Sequence, residues 1–313
     1  MAAEVIMNPI RRLLVDVDVL APEHPALLQA FDVASRLGAA VTITDVLPDV
    51  PRGARRFVTA EVEQELVEDR RTRLAALAES APAGVEADSL VLRGRAGVAL
   101  VEHVLRGNYE LLLRAHNRRP GEERPFGAVD MQLLRQCPCP VWLVARGMPV
   151  PPRHVMAAID ASEIEGGDPS LNRSLVDLAV RVSGPANGPV AVVYAWDAFG
   201  EELMEPRLSL EEFQQFVGAA EQTASDCLAA FTGELGPGAT RLAPQLVKGV
   251  PEDAIPAFVR EHGIDLLVMG TAARSGMAGW LIGNTAERVL QRVRVSVLAV
   301  KPHGFVSPMT IGG

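Results

Sequence analysis

Leu13-Leu14-Val15-Asp16-Val17-Asp18 and Val155-Met156-Ala157-Ala158-Ile159-Asp160 decide the fold when read side by side. Each is a short, nearly unbroken apolar run closing on an acid, the pattern of a strand covered on both faces of a parallel sheet. A helical stretch follows each (Pro25–Leu37 and Ser170–Val182), and then a second strand, Val41–Leu47 or Val190–Trp196. Third strands end in glycine at Gly94 and Gly249, 155 residues apart. Leu111-Leu112-Leu113 meets Leu266-Leu267-Val268 at the same offset, and Val141–Val144 meets Val297–Val300 at 156. Strands alternating with helices, repeated in register, predict two tandem α/β domains with parallel, Rossmann-like sheets.

The chain has 313 residues, enough for two domains. The expected division is a first domain over 1–147, a linker over 148–153 and a second domain over 154–313. The linker is placed by Pro149, Pro151 and Pro152, which stop any helix. A net charge of −9 and only 4 % aromatic residues argue against nucleic acid and anionic lipid as partners. No apolar run is long enough to span a membrane, no leader is evident, and three cysteines do not make a disulfide framework, so a cytoplasmic location is expected.

Chemical character gathers after Asp265-Leu266-Leu267-Val268-Met269. The chain opens there into Gly270-Thr271-Ala272-Ala273-Arg274-Ser275-Gly276, and a helix begins near Gly283-Asn284-Thr285-Ala286-Glu287. Ligands of parallel sheets sit beyond the carboxyl ends of the strands. A small-residue loop lets amides approach a phosphate there, and a helix start aims its unpaired N–H groups at the same point. Asp160 would share this mouth, where a carboxylate can accept from a ribose or a base edge. Asn284 with Glu287 also reads as a helix-capping pair.

These residues resemble the universal stress proteins. The nucleotide-binding members of that family carry Gly, two residues, Gly, nine residues, then Gly followed by Ser or Thr. Gly270 and Gly283 stand at the first and third glycine positions; Ala273 replaces the second glycine, and Asn284, followed by Thr285, takes the Ser/Thr position. The resemblance covers both copies and looks closest to the tandem, E-type bacterial members. It implies a five-stranded parallel sheet per domain, pairing of the two domains through Val141–Val144 and Val297–Val300 as an internal pseudo-dimer, possible homodimers, and a stress-induced cytoplasmic role. It also implies ATP with Mg²⁺ as the ligand of the second copy. Asp160 and Ala195 would face base and ribose there, with Met269, Gly270, Ala273, Gly283, Asn284 and Thr285 around the phosphates.

In the first copy Ala115 replaces the first glycine, Ala128 follows Gly127, and Asp130 puts a carboxylate where it would repel phosphate. This copy is not expected to bind ATP through the motif, and Asp18 reads as a turn cap. No catalytic residue and no metal site is expected: the six histidines are scattered, and Cys137-Pro138-Cys139-Pro140 falls short of the roughly four ligands zinc needs, so it reads as structural. A nucleotide-free scaffold or carrier is the competing reading, acting through protein contacts or through an apolar small-molecule or lipid cavity. Leu203, Met204, Leu208, Leu210, Phe213, Phe216 and Val217 would supply it, most of them expected in the core. An ATPase ranks last, since no phosphate-loop Lys and no water-activating base stand by the loop.

Overall fold

The computed structural model describes residues 9–116, 126–162, 168–184, 187–235, 240–271 and 282–309. Contacts group the chain into two compact units. One holds residues 8–151 together with 296–313, and the other holds 152–276 with 282–295.

In the first unit, β1 (Arg12–Asp16), α1 (Pro25–Leu37), β2 (Ala40–Leu47), α2 (Ala60–Glu79), β3 (Ala87–Arg93), α3 (Ala96–Gly107), β4 (Leu111–His116), α4 (Ala128–Gln136) and β5 (Val141–Ala145) follow one another. The strands lie in the order β3-β2-β1-β4-β5 and run parallel. Leu13, Leu14, Leu111, Leu112, Leu113, Trp142 and Leu143 are sealed from water, as continuous apolar runs require. The second unit repeats the plan with β6 (Val155–Ile159), α5 (Pro169–Val182), β7 (Val190–Trp196), a short α6 (Glu201–Met204), α7 (Leu210–Gly233), β8 (Leu242–Lys248), α8 (Pro251–Glu261), β9 (Leu266–Gly270) and α9 (Asn284–Arg292). Its order is β9-β6-β7-β8, again parallel. In each unit the strand order reverses beside the first strand, between β1 and β4 or between β6 and β9. A crevice therefore opens at their carboxyl ends.

The repeat extends to backbone detail. Gly94 and Gly249, just past β3 and β8, sit at φ +107° and +127°, a region where a side chain is strained. Gly94 N–H donates to Leu47 O and Gly249 N–H to Trp196 O, so both glycines turn the chain while prolonging a ladder. Asp168 caps α5 by accepting from the Ser170 and Leu171 amides. Among the described residues, no helix is long and apolar enough to cross a membrane.

The last strand, β10 (Ser296–Val300), closes the second copy in sequence yet belongs to the first unit. It runs antiparallel to β5, with Leu298 opposite Trp142, and every residue of both strands is buried. Ser296 Oγ accepts from Ala145 N–H at 3.0 Å. Just past the strand, Lys301 Nζ donates to Leu134 O at the end of α4.

Two outcomes follow from this docking. A chain ending at Val150 would leave β5 as a bare apolar edge, so it should self-associate in light scattering; a clean monomer would contradict the edge role of β10. Burial pushes the Lys301 amine down to about 8 from 10.5. Between those values the unfolded chain holds the extra proton, so stability should climb as pH rises through that window. Lys301→Met should flatten that climb, by on the order of 2 kcal/mol in denaturant titrations at pH 7 against pH 10.

Candidate functional site

In the second unit, Asp160 follows directly on β6 and is clamped by α5. Its N–H donates to Asn172 Oδ1 at 3.2 Å and its carbonyl accepts from Asn172 Nδ2 at 2.6 Å. The carboxylate oxygen Oδ1 accepts from the Ser162 amide and hydroxyl, at 3.2 and 2.7 Å, so one face of the carboxylate is committed to its own turn. Ala195 is buried in β7, one residue past the Tyr194–Ile159 pair, which brings it alongside Asp160. Met269 is buried and pairs across the ladder with Ala158.

Gly270 ends β9 for a packing reason: a Cβ there would stand 2.9 Å from Leu171 Cδ2 on α5. Close approach of α5, rather than a left-handed turn, demands glycine at this position. Thr271 comes next, wholly buried, with no hydrogen-bond partner for Oγ1 among the described residues, and its carbonyl accepts from Gly283 N–H at 3.1 Å. That bond ties the end of β9 to the start of α9. Gly283 is the N-cap residue, which makes Asn284 and Thr285 the first two helical residues. The capping pair read from Asn284 and Glu287 is therefore corrected. No side chain caps α9 among the described residues, and Glu287 N–H closes the first helical bond on Gly283 O at 2.9 Å. Ala273 lies outside the described residues.

The first unit answers the same positions with charge. Asp16 pairs with Arg114 in the ladder just as Ala158 pairs with Met269. The Arg114 guanidinium bonds the buried Asp16 carboxylate and, through Nε at 3.0 Å, Asp130 Oδ1. Asp130 Oδ2 in turn accepts from Gly127 N–H at 2.9 Å, at the N-terminus of α4. A carboxylate thus fills the spot that α4 would offer an anion. The residues matching Asp16, Arg114 and Asp130 in the second unit are Ala158, Met269 and Ala286, none of them charged.

Beside this triad lies a cleft of about 300 Å³, lined among others by Asp18, His24, Asp45, Arg70, Arg114 and Arg146. Burial raises the Asp45 carboxyl above its ordinary range, with Arg70 at 3.0 Å opposing and Asp18 reinforcing the rise. Asp18 also caps its own turn, accepting from Leu20 N–H at 3.0 Å. Sequence reading placed Asp130 against phosphate but missed Arg114 as its partner. The available signal was an arginine, and an acid across the ladder from it, inside strands otherwise apolar.

The apolar group near the second mouth needs correcting. Leu203 and Leu210 are exposed, Phe199 beside them is 93 % exposed, and Met204, Leu208, Phe213, Phe216 and Val217 are only partly covered. None belongs to the core, because α7 touches the sheet through Ala224, Leu228 and Phe231 in its later turns.

A doubly wound α/β unit written twice, with its mouth at the switch point of each copy, defines a tandem Rossmann-like protein. The model of the universal stress protein family matches residues 9–145 and 152–301, and the chain belongs to that family. It is 26 % identical to universal stress protein E of Photorhabdus laumondii over 318 residues, covering 96 % of this chain and 97 % of that one. It is also 26 % identical to universal stress protein E of Escherichia coli K12, at the same coverage. Among solved structures, the functionally unknown protein PA1789 of Pseudomonas aeruginosa superposes with TM-score 0.66 at 23 % identity, over 94 % of this chain and 93 % of that chain. The protein is thus a stress-response protein of the universal stress family.

If the triad is the filling of the first mouth, Arg114→Met alone should cost on the order of 3–5 kcal/mol, because it strands two buried carboxylates. The triple variant Asp16→Ala, Arg114→Met, Asp130→Ala, which copies the second unit, should cost much less in urea titrations. Equal losses for the two variants would contradict the triad.

Proposed function

We propose that the second unit holds an adenine nucleotide, ATP with Mg²⁺, without turning it over. The observation that carries this reading is the contrast between α4 and α9. The N-terminus of α4 is filled by Asp130 and Arg114, whereas α9 has no side-chain cap among the described residues. The amides of Asn284, Thr285 and Ala286 then suit phosphate oxygens, favoured by the helix dipole. Thr271 adds a buried hydroxyl without a partner among the described residues at the same strand end, a donor a phosphate oxygen would satisfy. Asp160, held by Asn172, would orient the ribose or base end through its carboxylate. The nucleotide itself supplies only charge and a binding epitope; the residues bind and orient it, and none of the described ones at this mouth is set to activate water.

The second unit can be given the filling of the first. Calorimetric titration of the full chain with Mg·ATP should show one site, and the variant Ala158→Asp, Met269→Arg, Ala286→Asp should lose it, with affinity at least tenfold weaker. Silence from the unmodified protein, or undiminished binding by the variant, would overturn the reading.

A second reading, an apolar small-molecule or lipid carrier, draws support from the exposed Phe199, Leu203 and Leu210. Native mass spectrometry of the purified chain separates the two, since a bound lipid in place of nucleotide would favour the carrier.

A further inference from the structure

Cys137-Pro138-Cys139-Pro140 plays no part in the mouth of either unit, yet its geometry is specific. The two sulfurs lie 3.5 Å apart, in S–H···S contact, and both residues are buried. Cys137 ends α4, with its N–H on Leu133 O, and the chain passes through Pro138 and Cys139 into β5. The third cysteine, Cys227, is in α7 of the other unit and is partly exposed.

Residues two apart in sequence cannot have Cα atoms more than about 7 Å apart, so the spacing reaches the upper part of the range disulfides use. The sulfurs need to close by about 1.5 Å to bond, a side-chain adjustment rather than a shift of elements. The surroundings also supply charge. Lys301 holds its amine against Leu134 O, three residues before Cys137 in the sequence. The neighbouring Cys137 sulfur, and then burial, push the Cys139 thiol well up.

We propose that Cys137 and Cys139 are a peroxide-responsive pair that closes to a reversible disulfide. The Cys137 sulfur, giving up its proton, attacks one peroxide oxygen. The O–O bond breaks, the sulfur is oxidised to the sulfenic acid, and the leaving hydroxide takes a proton to become water. The Cys139 sulfur then attacks the sulfenic sulfur, forming the S–S bond and expelling a second water with its own proton. A dithiol restores both thiols by exchange. Because the resolving sulfur is already in contact, the sulfenic acid does not persist long enough for further oxidation. Intracellular disulfides are typically of this transient, sensing kind.

The test uses the full chain carrying Cys227→Ser. After treatment with hydrogen peroxide, the protein is unfolded, its remaining thiols are alkylated, and its intact mass is measured. The expected result is a monomer lighter by about 2 Da with neither thiol alkylated, reverting to two alkylated thiols after dithiothreitol. Cys139→Ser should instead accumulate oxygen adducts on Cys137 without that loss. Two free thiols after peroxide, or oxygen adducts in place of the 2 Da loss in the Cys227→Ser protein, would overturn the proposal.

Discussion

The structure turns on who satisfies the amides at the start of the helix after the fourth strand of each copy. A helix leaves its first N–H groups without partners, and its dipole gathers positive charge at that end. That end lies by the switch point of each sheet, where unpaired amides favour negative charge. The first unit brings its own, Asp130, and neutralises it with Arg114. In the second unit small and apolar residues stand at the equivalent places.

An arginine and an acid inside the sheet, met by a second acid on α4, carry a structural cost. Asp16 is buried and tolerable only while Arg114 stays charged beside it. The triad therefore locks itself: losing any single member is worse than never having had the set. The network anchors β4 to the start of α4 with the protein's own charges. The charged cleft beside it is wedged among the same groups.

Much of this was legible in the sequence. Apolar runs, their register and the helix between Pro25 and Leu37 were read to within a residue or two, because buried parallel strands leave an unmistakable pattern. Gly270 and Gly283 were found by spacing, yet their physical reasons differ from the loop reading: Gly270 yields to Leu171, and Gly283 is the cap. Spacing alone could not reveal that, since the distance between a strand end and a helix from another part of the chain is a tertiary fact. The apolar flank was misjudged for a related reason. Helix α7 outruns the sheet it covers, so its first turns keep an amphipathic pattern without an apolar surface to meet. The place of β10 in the first unit was likewise invisible to composition, because its residues read as any buried strand.

Amide nuclear magnetic resonance tests the central asymmetry most directly. With Mg·ATP added to the full chain, the Asn284, Thr285 and Ala286 amides should shift in a saturable way while Gly127 through Asp130 hold still. Shifts at Gly127 through Asp130, or none at Asn284 through Ala286, would contradict the account.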